Sequence, residues 1–337
     1  MSDSAIFDAA TTGAKPAAKP AAKPAIAAII PAYNAQATLR ATLASIQNQS
    51  VRDLDIIVVD DGSTDDTVAI VREIAAVDSR VRWISQANSG QSAARNRGAQ
   101  LSGAAYLSFC DADDIWHPSK LAKQLAAFVA NDRLGFVYCG FLRITPDDKV
   151  LSVHERFDQG DILARIMRRN MVGNGSTAMF SREAFEDVGG FDARYAPAED
   201  LAICLAVAAR YPVGVVPDPL VGYRIWDGSL SSNGLRVYRA TKLLMSEAAI
   251  WHPSLAKVAN LHTRGVLAWQ IIRSMQMRKW AVAFELARED YGLAIDALKT
   301  FVPGVAGKWW SRMTGPKTVD DRESMASLTQ YWRARFE

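Results

Sequence analysis

Asp55-Ile56-Ile57-Val58-Val59-Asp60 runs directly into Asp61-Gly62-Ser63-Thr64-Asp65-Asp66-Thr67. The first half is β-branched with no polar residue inside, as a parallel strand buried on both faces should be. In the second half Ser63 and Thr64 are N-cap candidates for a helix over 66–77, and Asp65 and Asp66 suit that helix's positive end. The stretch therefore reads as strand, tight turn, helix. Working outward, the same alternation repeats. Ile26–Ile30 is a short apolar run ended by Pro31, and 38–49 has helical spacing through Leu39, Leu43 and Ile46. Val81–Ile84 is a strand, 92–101 a helix, and Ala105–Cys110 another buried strand. Pro118 sits where a first-turn proline belongs, opening a helix through Ala130. Strand–helix alternation of this kind implies right-handed βαβ units and a mostly parallel sheet flanked by helices. In such sheets, ligands bind at the carboxyl ends of the strands.

Around this core the chain changes character twice. Residues 1–24 repeat Ala, Lys and Pro (Lys15 to Pro24), which favours an extended, disordered tail outside the fold. From about Leu235 the pattern is helical, with Arg, Lys and Trp interspersed and no strand signal. The expected organisation is a tail over 1–24, an α/β domain over 25–234 and a helical extension over 235–337. The 337 residues carry a net charge of only +3, too weak to suggest nucleic acid. The distribution is uneven. From Arg236 onward sixteen Lys and Arg face nine Asp and Glu, and the preceding residues hold 23 against 27. Such asymmetry can mark an anionic partner or a membrane surface, and a solvated helical face explains it as simply.

Cys110, Cys139 and Cys204 are far apart and form no C-x-x-C pair, which argues against a disulfide framework or thiolate metal site and suits a reducing cytoplasm. No run approaches the roughly 18 apolar residues of a membrane span, and the N-terminus lacks a basic-then-apolar signal pattern. The expectation is a cytoplasmic protein, peripheral to the inner face of the membrane at most. Phe301-Val302-Pro303 and Trp309-Trp310, set among Lys299, Lys308 and Arg312, suit a membrane interface through 299–312. Packing against neighbouring helices explains those aromatics equally.

Chemistry concentrates at the predicted strand ends. Phe109-Cys110-Asp111-Ala112-Asp113-Asp114-Ile115-Trp116 places three carboxylates within four residues. They repel one another unless a cation sits among them, and Mg²⁺ or Mn²⁺ uses one or two carboxylates plus substrate phosphates. An acidic turn capping the next helix is the alternative. Asp60 and Asp61 end another strand, where an Asp could accept hydrogen bonds from a base or sugar and Gly62 permits close approach of the backbone. Asn88-Ser89-Gly90-Gln91-Ser92-Ala93-Ala94-Arg95-Asn96-Arg97-Gly98 opens a small-residue helix, with backbone N–H groups free for a phosphate or ribose. Gly189-Gly190-Phe191-Asp192 precedes Ala198-Glu199-Asp200-Leu201, where a carboxylate opening a helix suits either a general base or a cap. The four histidines have no metal-ligand spacing, and His117, although near the acidic cluster, reads as structural or solvent-exposed.

Taken in order, these segments resemble the family 2 glycosyltransferases of GT-A fold. The matching residues are Ile29-Ile30-Pro31-Ala32-Tyr33-Asn34, Asp60-Asp61-Gly62-Ser63, Ser89 to Gly98, Asp111-Ala112-Asp113-Asp114, Gly189-Gly190-Phe191-Asp192 and Glu199-Asp200, within about 26–223. The resemblance implies a nucleotide-binding half over 25–115 and an acceptor-binding half over 116–234. It implies that Pro31 and Tyr33 line the nucleotide base, that Asp60 binds it, and that Asp61 and Gln91 belong to the same pocket. Asp111 resembles the ribose-side acid of the D-x-D element, and Asp113 the ligand of a divalent metal, Mn²⁺ or Mg²⁺, bridging the diphosphate. Asp114 would support that turn. Asp200 is similar to the family's catalytic base, and Glu199 beside it would orient the acceptor or the loop. The implied reaction moves one sugar from a nucleoside-diphosphate sugar, by default a UDP-sugar, to a glycan or lipid-linked glycan acceptor with inversion, in surface polysaccharide synthesis.

Two departures bear on that expectation. Leu201-Ala202-Ile203-Cys204-Leu205 lacks the tryptophan often found after the acidic pair. Ile225-Trp226-Asp227-Gly228 replaces the Q-x-x-R-W element of processive synthases, which points to single-sugar addition. Arg224 could approach the diphosphate or form a surface ion pair. Two other functions fit parts of the pattern: a sugar- or nucleotide-binding scaffold without activity, and a nucleotidyltransferase making nucleotide sugars. The latter would need a Gly-rich, Arg-containing loop after the first strand, and Pro31–Ala35 is not one.

Overall fold

The computed structural model describes residues 25–155, 157–226, 233–294 and 327–336. The expected tail over 1–24 and the aromatic–basic segment 299–312 lie outside them. The apolar runs become β1 (Ile26–Ala32), β2 (Leu54–Asp60), β3 (Val81–Ser85) and β4 (Tyr106–Phe109), joined through α1 (Leu39–Gln47), α2 (Thr67–Val77) and α3 (Gln91–Leu101). These four strands are parallel in the order β3-β2-β1-β4.

All seven residues of β1 are buried, and they divide by parity as a pleated strand must. Ile26, Ala28 and Ile30 pack with Leu39, Leu43 and Val71 of the helices on one face. Ala27 and Ile29 join Phe109, Phe180, Phe185 and Leu201 on the other. Helix α3 lies very close to β1, because a Cβ on Gly98 would sit 2.4 Å from Ile29 Cγ2.

Beyond β4 the sheet is mixed rather than parallel throughout. β8 (Met179–Ser181) runs antiparallel to β4 and to β6 (Phe136–Ile144). β6 is parallel to β9 (Val213–Arg224), while β5 (Ile115–Trp116) and β7 (Val150–His154) add antiparallel pairings. β5 and β8 are two and three residues long, too short to show a hydrophobic period, so the sequence does not announce them. The helices of this half are α4 (Lys120–Ala130), α5 (Leu163–Arg168), α6 (Arg182–Asp187) and α7 (Glu199–Ala208).

Helices α8 (Gly234–Trp251), α9 (Ala256–Gln276) and α10 (Trp280–Glu289) pack on one another, with Tyr238, Leu267, Ile271 and Leu286 in a shared core. Helix α11 (Leu328–Phe336) covers the far edge of the sheet, where Trp332 Nε1 donates to the Pro219 carbonyl at 2.8 Å. His117 lies beneath that helix, its ring 5.1 Å from Trp332 and 4.7 Å from Phe336. Burial lowers its pKa to about 4, so it stays neutral and structural. The three cysteines are buried and free. No described helix is long and apolar enough to cross a membrane.

Candidate active site

The parallel register brings the carboxyl ends of β1, β2 and β4 together, since Ala32 pairs with Asp60 and Ile29 with Phe109. At the end of β1, Pro31 is buried and Tyr33 is 53% exposed. Asn34, in the left-handed region at φ 48°, accepts from Thr64 N–H at 2.8 Å while its own N–H donates to Ser63 Oγ at 2.9 Å. The two residues expected to cap α2 therefore tie the β1 turn to the β2 turn. Asp65 takes over at the helix start, accepting from Thr67 N–H and hydroxyl.

Asp60 is buried at the strand tip, and its Oδ1 accepts from Ser63 N–H at 3.1 Å. Asp61 is placed differently from a ligand-facing acid. Its Oδ1 accepts from Gln86 Nε2 and Ser89 N–H, and its Oδ2 from Gly90 N–H at 2.8 Å. Both oxygens hold the turn into α3. Gly62, at φ 81°, supplies the bend that this needs.

The D-x-D turn is built from distant parts of the chain. Asp111 N–H donates to Ser176 Oγ, and Thr42 Oγ1 donates to the Ala112 carbonyl. Asp114 is fully buried; its Oδ2 accepts from Asn174 Nδ2 at 2.8 Å and Ser176 Oγ at 2.5 Å, and its Oδ1 from Arg224 N–H at 3.1 Å. Arg224 donates through Nε to the Asp113 carbonyl and through Nη1 to the Pro146 carbonyl, and it pairs with Asp148. Buried and committed in this way, Arg224 supports the acidic turn from beneath.

Asp113 differs from its neighbour. One oxygen, Oδ2, accepts from Trp226 Nε1 at 2.9 Å. Burial, then the charge of Asp111, raises the Asp113 pKa to about 6. Asp113 itself has no ion-pair partner among the described residues, and a divalent ion would relieve its repulsion with Asp111, so the residues fit one. Among the described residues no three His, Cys, Asp or Glu side chains are arranged to enclose a metal. The fit is to an ion held by one or two carboxylates and completed by substrate oxygens.

The residue that organises the site is Arg95 of α3, 1% exposed. Its Nη2 donates to Asp111 Oδ1 at 2.6 Å and its Nη1 to Glu199 Oε1 at 2.9 Å. Its guanidinium also lies 5.0 Å from the centre of the Phe191 ring. Burial works against the charge, yet the two carboxylates hold its pKa above the ordinary value. Gln91, one turn earlier on α3, donates to the same Asp111 oxygen at 2.8 Å. Asn96 fixes the Gly189–Asp192 turn, accepting from Phe191 N–H and donating to its carbonyl.

Gln91, Asp111 and Glu199 thus meet around Arg95, and Asp200 follows Glu199 at the start of α7. Asp200 Oδ1 accepts from Leu201 N–H at 2.7 Å. Burial, then the adjacent Glu199, raises its pKa from 3.8 to about 7. A carboxylate poised there can exchange a proton at neutral pH. A cavity of about 530 Å³ lies between α7, α8 and the Gly190–Tyr195 turn, but none of Asp60, Asp111, Asp113 or Asp200 lines it.

Sequence reasoning missed Arg95, Asn174, Ser176 and Trp226. For Arg95 a signal existed, since Gln91 and Arg95 are four apart and share a helix face. For the others there was none, because their partners lie about 60 to 113 residues away.

Residues 27–189 match the model of glycosyl transferase family 2. The chain is a glycosyltransferase, similar to that family over just under half of its length. A putative teichuronic acid biosynthesis glycosyltransferase of Bacillus subtilis, TuaG, is 29% identical over 66% of this chain and 87% of its own length. An uncharacterized glycosyltransferase of Rickettsia felis is 25% identical over 76% of this chain, which spans only 42% of that relative. Among solved structures, Staphylococcus aureus TarS in complex with UDP-GlcNAc superposes with TM-score 0.56 at 19% identity, covering 83% of this chain and 81% of TarS 1–349. A mannosyltransferase of Pyrobaculum calidifontis, in complex with GDP-Man and Mn²⁺, superposes with TM-score 0.57 at 20% identity, covering 88% and 86%. The fold of this glycosyltransferase is therefore GT-A, with the acidic motifs at its strand ends.

Proposed function

We propose that the chain transfers a single sugar from a nucleoside-diphosphate sugar, a UDP-sugar by default, to a glycan or lipid-linked glycan acceptor with inversion at the anomeric carbon. One observation carries this reading. Arg95 joins Asp111 of the D-x-D turn to Glu199, and so sets Asp200 beside the strand ends where a donor would lie. The nucleotide sugars in the TarS and Pyrobaculum structures support the donor class, and TuaG supports a role in surface polysaccharide synthesis.

In this reading Pro31, Tyr33 and Asp60 form the base side of the donor groove. Asp61 acts at one remove, by shaping the Ser89-Gly90 turn. Gln91 and Arg95 hold Asp111 towards the ribose. Asp113 would hold the divalent cation, Mn²⁺ or Mg²⁺; when bound, it would neutralise charge on the departing diphosphate. Asp200 removes the proton of the acceptor hydroxyl as that oxygen attacks the anomeric carbon from the face opposite the leaving group. One displacement on one face inverts the configuration, and no covalent bond to the protein forms.

The test is to incubate the purified chain with a panel of nucleotide sugars and Mn²⁺ or Mg²⁺. Release of nucleoside diphosphate and the anomeric configuration of the transferred sugar are then followed. Metal-dependent release with an inverted product is expected. A retained configuration would overturn the single-displacement mechanism. No turnover with any donor, alongside nucleotide-sugar binding, would favour an inactive binding scaffold.

A further inference from the structure

Helix α10 is used on one side only. Ala283 and Leu286 are buried, Leu286 in the core that α10 shares with α8 and α9. Glu289 is committed to Arg239, and Asp290 just past its end to Lys242, and these two ion pairs fix the helix against the first half of α8. The other side presents Trp280, Phe284 and Arg288, spaced four apart and therefore in one stripe. Trp280 is 59% and Phe284 68% exposed, and Met275, Met277 and Tyr291 are also exposed around them. Arg278 and Lys279 precede the stripe in the turn from α9. Arg278, Lys279 and Arg288 have no ion-pair partner among the described residues, and with Glu289 taken up by Arg239, Glu285 is the one exposed acidic side chain of α10 left without an ion pair among those residues.

From this we propose that the α10 face formed by Trp280, Phe284 and Arg288, with the Arg278-Lys279 turn, docks the protein on an anionic lipid surface. Large aromatics suit the boundary between headgroups and acyl chains, and the basic residues that flank them attract anionic headgroups. The three cations against one carboxylate leave two positive charges in excess. That excess disfavours a second copy of the chain as the occupant. A two-fold contact would set Arg278, Lys279 and Arg288 against their own counterparts. The proposal does not depend on the sugar transferred. It concerns a surface separate from the acidic strand ends.

The full-length chain is sedimented with vesicles of phosphatidylcholine alone and of phosphatidylcholine mixed with phosphatidylglycerol. Binding is expected to the mixed vesicles only, and to weaken as salt is raised. The double variant Trp280→Ala/Phe284→Ala should lower partitioning by at least about tenfold. The triple variant Arg278→Glu/Lys279→Glu/Arg288→Glu should lower it by at least about a hundredfold. All five positions are exposed, so melting temperature and donor turnover with a soluble acceptor should be unchanged. Equal binding to both vesicle types overturns the proposal, and so does full binding by both variants. It is overturned as well if only Trp309→Ala/Trp310→Ala abolishes binding, or if the α10 variants turn an oligomer into a monomer without changing vesicle binding.

Discussion

Arg95 and Glu199 are 104 residues apart in sequence and meet at 2.9 Å in the interior, where the same guanidinium also holds Asp111 at 2.6 Å. A buried cation between two carboxylates is stable only as a set. Removing one member leaves the others charged and without water. The arrangement makes the acidic turn after β4 and the acidic start of α7 a single electrostatic unit.

Arg95→Ala should therefore affect both stability and transfer. Breaking a buried ion pair from one side costs about 3–5 kcal/mol, which a urea titration would show as a lowered midpoint. Donor consumption should fall with it under conditions where the variant remains folded. Arg95→Lys keeps the charge but offers one point where two carboxylates need a fork, so it should recover part of the stability and less of the turnover. Wild-type stability in Arg95→Ala would show that the bridge does not hold the two halves.

Asp200→Asn should cut transfer by roughly 10²–10⁴-fold, the usual contribution of a positioned base, with nucleotide-sugar binding retained. In the wild-type chain the base works only when ionised, so kcat/KM should rise with pH through a limb near 7, the value to which burial and Glu199 raise Asp200. The linked stability has the opposite sign. The folded value lies above the ordinary 3.8, so the contribution of this group is fully present below about pH 4 and is lost as pH rises through about 7. Melting temperatures of wild type and Asp200→Asn measured from pH 5 to pH 8 should diverge in the variant's favour at the upper end. Parallel profiles would remove Asp200 from this role.

Chelation of divalent cations should stop release of nucleoside diphosphate, and either Mn²⁺ or Mg²⁺ should restore it. Asp113→Asn should raise the metal concentration needed by at least about tenfold, because even residues that only support a ligand cost that much. A half-maximal metal concentration identical to wild type would place the cation on other residues.

Gly98→Ala tests the packing of α3 on β1 independently of the chemistry. The added Cβ would lie 2.4 Å from Ile29 Cγ2, so helix and strand must part. Overpacking of this kind costs about 1–3 kcal/mol, read as a lower melting temperature. An unchanged melting temperature would mean that α3 can shift away from β1 freely.

Much of the architecture was legible before the fold was known, for a physical reason. The parallel strands β1, β2 and β4 are buried on both faces, so they read as mainly apolar runs without strict alternation. The acids that end them stand out because carboxylates are otherwise rare at buried strand tips. The antiparallel half was not legible, because β5 and β8 are too short to carry a period and their partners come from distant segments. Asp61 illustrates the limit within the site. Its residue type and position suit a ligand contact, yet the fold spends both its oxygens on Gln86, Ser89 and Gly90.

The sequence by itself determined the order of motifs, and with it the resemblance to family 2 glycosyltransferases and the acidic residues at the strand ends. It could do so because each motif is local: a strand end, a turn and a helix start within a few residues. Only the tertiary structure decided which of those acids share a charge. Arg95 between Asp111 and Glu199, Trp226 on Asp113, and Asn174 with Ser176 beneath Asp114 are all contacts between segments far apart in the chain. Pairing across such distances leaves no trace in local spacing, and the electrostatics of the site depends on it.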